Sequence, residues 1–558
     1  MSLTGITISD FNPDNFNALL SNSTEQPSLK MISTPFGQVH QTLMNKNAEC
    51  WQQALDFAVV WTQPQAVLSS FKQALNFEAV STQQVLDEVE QFALQLIALK
   101  SRVNTIFVPA WVQPAFERGL GITDLGDPRG IANLISHMNL RLAELLNEHS
   151  GIHLLNSPYW IQATGKQAFS EKLWYMAKVA FSNRVFKLAA ADIRTAINIA
   201  EGATKKLIVL DLDNTLWGGV VGDLGWQGLA LGGHDAKGEA FVDFQQGLKS
   251  LRSRGFLLAV ISKNDEDVAL EAIDKHPEMV LRRDDFAAWR INWNDKAQNL
   301  ADITAELNLG TSSAVFIDDN PAERARVAES LPEVYVPDWP LDPLEYRTAL
   351  AGLSCFDSLT LSDEDLNRAQ MYQAEKQRDS AKSELGSIDE WLKTLDMQVR
   401  VEPLSSSNLP RATQLLNKTN QMNLSTRRLP EPEFLSWSQQ PGRKVWTFNV
   451  EDRFGSQGLT GLISAEKSGD RLQIVDLILS CRVMGRKVEE AMLAIACQYA
   501  NDIGCSQVDI EYKKTEKNHP CLEFLKKTKL HSKDDTLFTF DTSEPYPVPV
   551  HLQLETTN

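Results

Sequence analysis

Apolar residues along the chain fall into short dense runs, separated by longer stretches in which they recur every three to four positions. That alternation is the mark of buried strands joined by amphipathic helices. The runs at 57–61 (FAVVW) and 105–111 (TIFVPAW) predict strands, and 81–99 predicts a helix between them. A helix predicted at 181–200 leads into LIVL at 207–210, a continuous apolar run with β-branched residues that suits a strand buried on both faces. A helix at 239–254, a strand at 256–262 and a strand at 313–317 continue the same alternation. The stretch 346–398 turns polar and reads as an exposed helical connector. Beyond it the pattern changes. Residues 444–454 and 459–467 read as antiparallel strands around a turn, 471–480 as a strand before a long helix at 485–501, and 507–512 as a further strand. The fold class is therefore α/β and multidomain: an N-terminal α/β domain (1–200), a central α/β domain (203–345), a helical linker (346–396), a C-terminal α+β domain (397–545) and a tail (546–558).

The chemistry gathers at the predicted strand ends of the central domain. Asp211 and Asp213 follow LIVL two residues apart, and alternate residues of extended chain point to the same side. An open α/β sheet binds ligands beyond the carboxyl ends of its strands, so both acids would project into that crevice. Like charges so close resist ionising together unless a cation or proton lies between them. Magnesium, a hard ion that takes one or two carboxylates plus phosphate oxygens, supplies that cation. The second strand ends in Ser262, followed by Lys263 and Asn264, where a hydroxyl and backbone amides could hold phosphoryl oxygens. Lys296 stands near a helix start, and the strand at 313–317 runs into Asp318 and Asp319. The Gly-rich insert 218–238 has neither a GxGxxG nor a GxxxxGK[ST] pattern and is expected to form a hairpin flap over the crevice. Any one of these features alone is ordinary: a lone Ser after a strand is usually a helix cap, and a lone Lys a solvated one. Their order within one α/β segment makes them a set.

A chain of 558 residues exceeds one hydrophobic core and points to about three domains. With 54 basic against 72 acidic residues, the net charge of −18 argues against a nucleic-acid partner. It leaves phosphorylated small molecules open, since these need only a local site. Six scattered cysteines with no CxxC pair signal neither a disulfide framework nor a zinc site. No apolar run approaches membrane-spanning length and the first residues lack a signal-peptide pattern, so a cytoplasmic location without a membrane partner is expected. His40, His137, His149 and His153 have no evident nucleophile and acid to pair with and read as structural.

DLDNT (211–215), the Ser of ISKN (261–264), Lys296 and FIDD (316–319) match the four motifs of the haloacid dehalogenase-like (HAD) phosphatase superfamily. The longer strings LDLDNTLWGGVVGD, FAAWRINWNDKAQNL and FIDDNPAER resemble its FkbH-like branch, and so do KTNQMNLSTRR, EDRFGSQGL, LSCRVMGR and TEKN further on. The resemblance spans about 200 to 530. It implies a Rossmannoid central sheet, Mg2+ dependence and an aspartyl-phosphate intermediate, with Asp211 as nucleophile and Asp213 as acid and base. Asn214 and Thr215 complete the first motif, and Ser262, Lys263, Asn264 and Lys296 would serve the phosphoryl group. Asp211, the Asp213 main-chain carbonyl and either Asp318 or Asp319 would hold the metal.

The C-terminal domain resembles the GNAT acyltransferase fold. Arg482, Gly485 and Arg486 fit its acyl-CoA pyrophosphate loop, whereas Lys487 stands where a small residue is expected. The N-terminal domain of the FkbH-like family resembles SGNH hydrolases, whose GDS and DxxH signatures are not found here. Members of that family take a glyceryl group from 1,3-bisphosphoglycerate, remove its phosphate and load it onto the phosphopantetheine thiol of an acyl carrier protein in polyketide pathways. Cys481 precedes an Arg and a helix start, both of which lower a thiol pKa, so it is a candidate to carry the acyl group; a buried structural cysteine is the plainer reading. Three other outcomes stay open: a loader of another short acid such as lactate, a stand-alone phosphatase, and a scaffold that binds carrier proteins without chemistry.

Overall fold

A computed structural model describes residues 2–201, 204–233, 235–307, 309–359, 366, 378, 387–419, 421–425, 427–515, 518–532 and 534–557. The chain divides into two compact units, Met1–Lys205 with Arg347–Leu361, and Lys206–Tyr346 with Ser362–Asn558. The multidomain α/β architecture expected from the sequence is the one observed.

In the first unit, strands β1 (Ser2–Ser9), β2 (Ser28–Ser33), β3 (Phe57–Trp61), β4 (Thr105–Pro109) and β5 (Ile152–Leu155) form a parallel sheet in the order β2-β1-β3-β4-β5. Successive side chains of a strand face opposite sides, and the packing follows that rule. Ile6, Ile8, Ala58, Val60, Ile106 and Val108 enter one core, while Leu3, Phe57, Val59, Trp61 and Phe107 enter the other. The helix Thr82–Leu99 starts where Ser81 and Gln84 satisfy each other's backbone amides, a capping box legible as S-x-x-Q. Strands β1, β2 and β5 carry polar or glycine interruptions, and the apolar pattern had not marked them.

The second unit contains two sheets. One is a four-stranded parallel sheet, β6 (Leu207–Leu210), β7 (Leu257–Ser262), β8 (Phe286–Ile291) and β9 (Ala314–Ile317), in the order β8-β7-β6-β9. All four residues of β6 are wholly buried, as its unbroken apolar run required. In-register pairing sets Leu210 opposite Val260 on one side and Ile317 on the other, so the strand ends carrying Asp211, Ser262 and Asp318 share one rim. The other sheet runs β16 (His531–Ser532), β17 (Leu537–Asp541), β15 (Gln507–Glu511), β14 (Arg471–Leu479), β13 (Gly455–Ser468), β12 (Arg443–Asp452), β10 (Met397–Pro403) and β18 (Leu552–Thr556), with β11 (Met422–Asn423) paired to the end of β14. It is largely antiparallel, but β10 and β18 pair parallel, as do β14 and β15, the latter two joined through the helix Val488–Asp502.

Three details differ from the sequence reading. The insert 218–238 is not a hairpin: one antiparallel bridge, Gly218 with Ala230, closes a lobe holding the short helix Val221–Leu224. Four of the insert's glycines, Gly219, Gly225, Gly232 and Gly233, take positive φ, which breaks strand pairing after that bridge. The helix read from 485 starts at Val488, because Gly485 (φ 76°) and Lys487 (φ 64°) sit in the left-handed region. The helix Ile388–Thr394, read as part of the connector, packs Trp391 and Leu392 into the C-terminal core. Most of the connector from 360 to 386 lies outside the described residues. Among the described residues, no helix is long and apolar enough to cross a membrane.

Candidate active site

Four loops meet at the carboxyl rim of the β6 sheet. Asp211 leaves β6 with its amide still bonded to Ile317 O at 3.0 Å, which fixes it beside Asp318. Lys296 opens the helix Lys296–Glu306, whose start is set by Asp295: its side chain accepts from the amides of Ala297 (2.9 Å) and Gln298 (3.2 Å). From there the Lys296 ammonium reaches Asp318 Oδ2 at 2.7 Å and Asp211 Oδ1 at 3.1 Å. The three side chains are almost entirely out of water, 4% exposed for Lys296, 10% for Asp211 and 0% for Asp318. Ser262, also buried, hydrogen-bonds Asp211.

Burial pushes the Asp211 carboxyl up to about 7, against the pull of Lys296. Burial works against the Lys296 ammonium as well, but Asp211 and Asp318 outweigh it and raise its pKa. Asp319 is raised too, first by burial and then by the charge of Asp318. The site therefore concentrates negative charge where little solvent can screen it.

The two members of the FIDD pair are placed differently. Asp318 is fully used, Oδ2 by Lys296 and Oδ1 by the Asn320 amide at 2.9 Å. Asp319 is half-buried, and Oδ1 receives only the long contact from the Thr215 hydroxyl at 3.4 Å. Arg324 bonds the carbonyls of both residues at 2.8 Å and holds the loop in place.

Asp213 lies apart from this cluster. Its Oδ1 accepts from Trp217 Nε1 (2.9 Å) and the Val221 amide (3.1 Å), and its Oδ2 from Asn264 Nδ2 (2.7 Å). These donors tie the carboxylate to the base of the lobe. Asn214, at φ 56°, receives the Gly219 amide on Oδ1 (2.9 Å) and the Tyr346 hydroxyl on its carbonyl (3.0 Å). Lys263 points to Glu323 instead, 2.6 Å away. Trp217, Tyr346 and Arg324 had not been singled out in the sequence, because no spacing rule links them to the carboxylate and the backbone carbonyls they support.

Do these residues fit a divalent cation? Carboxylate oxygens of Asp211, Asp318 and Asp319 lie within 4.8 Å of one another. Asp211 Oδ1 is buried and faces the Lys296 ammonium at 3.1 Å. Carboxylates that converge in a buried, all-oxygen donor set fit a hard ion such as Mg2+.

Around 481–486 the picture is different. Arg486 turns inward, 3% exposed, with its guanidinium 3.6 Å from Asp452 Oδ2. The Gly485 amide donates to Glu489 Oε1 at 3.0 Å, and Arg482 Nε to Ser480 Oγ at 3.4 Å. Cys481 begins a short 3-10 turn, and its side chain lies outside the described residues.

Among solved structures, this chain is similar to the N-terminal part of a Bacteroides fragilis protein containing a phosphatase domain, crystallised in complex with Mg. The two are 26% identical over 64% of this chain and 95% of that one, with a TM-score of 0.58. They share a fold over that region. Alignments to the ribosomal-protein-S18-alanine N-acetyltransferase of Escherichia coli (9% identity, 26% of this chain, 94% of that one, TM-score 0.21) and to a GNAT-family acetyltransferase of Staphylococcus aureus (8%, 26%, 99%, 0.21) are too distant to carry an argument. No protein-family model matches the sequence, and no curated protein matches it.

Proposed function

We infer that the protein is a Mg2+-dependent, HAD-type phosphatase that acts on a short phosphorylated hydroxy acid and passes the acyl group to the thiol of a carrier protein. The observation that carries the phosphatase part is the convergence of Asp211, Lys296 and Asp318 on one buried rim, with Asp319 within carboxylate reach of the two acids. The likeness to a phosphatase-domain protein crystallised with Mg supports it.

In this reading Asp211 attacks phosphorus, the bond to the leaving oxygen breaks, and Asp213 gives that oxygen a proton. Water then attacks the aspartyl phosphate while Asp213 takes its proton back, releasing phosphate and restoring Asp211. Asp213 must leave the Asn264 and Trp217 donors to reach the reacting oxygens, which makes the lobe part of the cycle. Ser262 and Lys296 bind the equatorial oxygens as charge spreads over them. Asp211, the Asp213 carbonyl and Asp319 would hold the cation; Asp319 is favoured over Asp318 because its carboxylate is the less engaged of the two. When bound, Mg2+ offsets the negative charge of carboxylate and phosphate.

The substrate we propose is 1,3-bisphosphoglycerate, whose glyceryl group would go to the phosphopantetheine of an acyl carrier protein for polyketide biosynthesis. This rests on the FkbH-like strings and on the chemistry of the molecule. Its mixed anhydride is reactive enough for a thiol, and its phosphoester needs a phosphatase. Cys481 is the proposed relay. The test is to incubate the protein with Mg2+, 1,3-bisphosphoglycerate and holo carrier, then to weigh the carrier. A glyceryl mass is expected; free phosphate with an unmodified carrier would overturn the loading step, and carrier binding without turnover would favour a scaffold. Asp211→Asn should lower phosphate release at least about a thousandfold, and near-normal release would remove the phosphatase reading itself.

A further inference from the structure

The N-terminal unit displays an apolar helix that its own core does not use. Residues 168–182 leave the body and return to it: the Ser182 amide bonds Ala168 O at 2.8 Å at the neck, and Ala168, Val179, Ala180 and Phe181 are buried beneath. Between them stands the helix Glu171–Ala177, with the sequence EKLWYMA. The Ser170 side chain starts it by accepting the Leu173 amide, and Lys178, at φ 54°, ends it with its carbonyl held by the Asn12 amide at 2.9 Å. The helix is therefore fixed at both ends. Yet no residue of it is buried. Trp174 leans on the core, while Leu173 is 40% exposed and Tyr175 and Met176 are each 74% exposed. A short helix owes most of its stability to a packed apolar face, so five apolar residues in a row on the surface serve no folding purpose. Exposed apolar patches rimmed by polar residues mark interaction sites, and aromatic residues and Met are enriched in them.

Two further observations narrow the occupant. The chain carries a net charge of −18, but 166–187 holds Lys166, Lys172, Lys178, Arg184 and Lys187 against the single acid Glu171, all six exposed. Lys178 Nζ lies 4.9 Å from the Trp174 ring centroid, which sets one of these cations against the apolar residues. Two copies of such a face would repel each other, so the charge favours an acidic partner over a second copy of this chain. Beside the helix is a recess of about 280 Å3, lined by Trp174, Ala180, Phe116, Pro114 and Leu75, with room for an apolar side chain. Phe116, 60% exposed, has its ring centroid 6.5 Å from that of Phe169 and continues the apolar surface to the loop after β4. A ridge beside a recess matches the relief of a protein helix, whereas a bilayer surface fills no recess.

We propose that the helix Glu171–Ala177 and the recess beside it dock the carrier protein through an acidic helix of that carrier. Leu173, Tyr175 and Met176 meet its apolar residues, and the surrounding cations meet its carboxylates. The inference rests on the carrier-loading reading and gives that reading a partner surface. It assigns no chemistry to these residues. Docking holds the carrier, so its loss should raise the KM for carrier and leave kcat unchanged.

The probe is the holo carrier of the loading assay, labelled with a fluorophore and titrated with the full-length protein by anisotropy. A Kd on the order of 10 µM is expected at about 50 mM NaCl, weakening about tenfold at about 500 mM. Tyr175→Glu with Met176→Glu should weaken binding about tenfold or more, as should Lys172→Glu with Lys178→Glu. Thermal midpoints and phosphate release from p-nitrophenyl phosphate should match wild type, since neither pair belongs to the phosphatase site. The salt comparison needs no variant. Variant-sensitive binding without loading would remove the loading reading and keep the docking surface; loading by both double variants at the wild-type KM would do the reverse. No binding by wild type at about 300 µM, or binding indifferent to both pairs of substitutions, would overturn the proposal. So would capture of phosphatidylglycerol vesicles, in place of carrier, by wild type and not by the first double variant.

Discussion

Lys296 donates to Asp318 at 2.7 Å inside a site where neither side chain meets water to any extent. A buried pair of this kind contributes little over an apolar pair, but removing one partner strands the other. In Lys296→Met, Asp211 and Asp318 would face each other uncompensated. We expect about 3–5 kcal/mol of lost stability by denaturant titration. Phosphate release from p-nitrophenyl phosphate should fall at least about a hundredfold. Added Mg2+ should restore part of the stability, because it neutralises the same carboxylates. A variant as stable and active as wild type would show that the pair does not matter.

Asn264 and Trp217 hold Asp213 against the lobe, so their effect should fall on turnover. For Asn264→Ala and Trp217→Phe, kcat is expected to drop about tenfold while KM stays within about twofold. A change confined to KM would instead make Asn264 a substrate contact, as its position in the ISKN motif first suggested.

Asp10 gives a pH signature. Burial raises its carboxyl to about 7 from the usual 3.8. Between those values the folded state keeps a proton that the unfolded chain has lost, so the N-terminal unit loses stability as pH rises through that window. Asp10→Asn cannot ionise. Relative to wild type it should gain no more than about 4 kcal/mol at pH 8 and nothing at pH 4. Hydrogen exchange of the β1 amides at the two pH values measures this directly. Equal protection of both proteins at pH 8 would rule the effect out.

Within the second unit, Arg378 of the connector meets Asp452 of the C-terminal domain through two contacts of 2.7 Å with both side chains fully buried. Arg486 shares the same carboxylate. Asp452→Ala should cost about 3–5 kcal/mol, read from the unfolding transition of that domain, and Asp452→Asn less. If Asp452→Ala unfolds like wild type, the buried cluster contributes nothing.

Much of this was legible from the chain alone where a local rule applied. LIVL reads as a strand because four consecutive apolar residues need burial on both faces, and Asp295 before Lys296 reads as a helix start because its carboxylate caps free amides. Strand β8 escaped because it lies at a sheet edge, where FAAWRI need not be apolar on both faces. The lobe was misjudged because glycine permits a turn without saying which one.

The sequence by itself determined which residues stand at strand ends and helix starts, since those follow from neighbours within a few positions. Only the tertiary structure decided their use. Parallel register brought Asp318 beside Asp211, 107 positions earlier in the sequence, and the depth of the rim made Lys296 their shared counter-charge. The lobe, folding back, claimed Asp213. Such pairings depend on which strands become neighbours and how much water they exclude, and neither quantity is a property of any short stretch of chain.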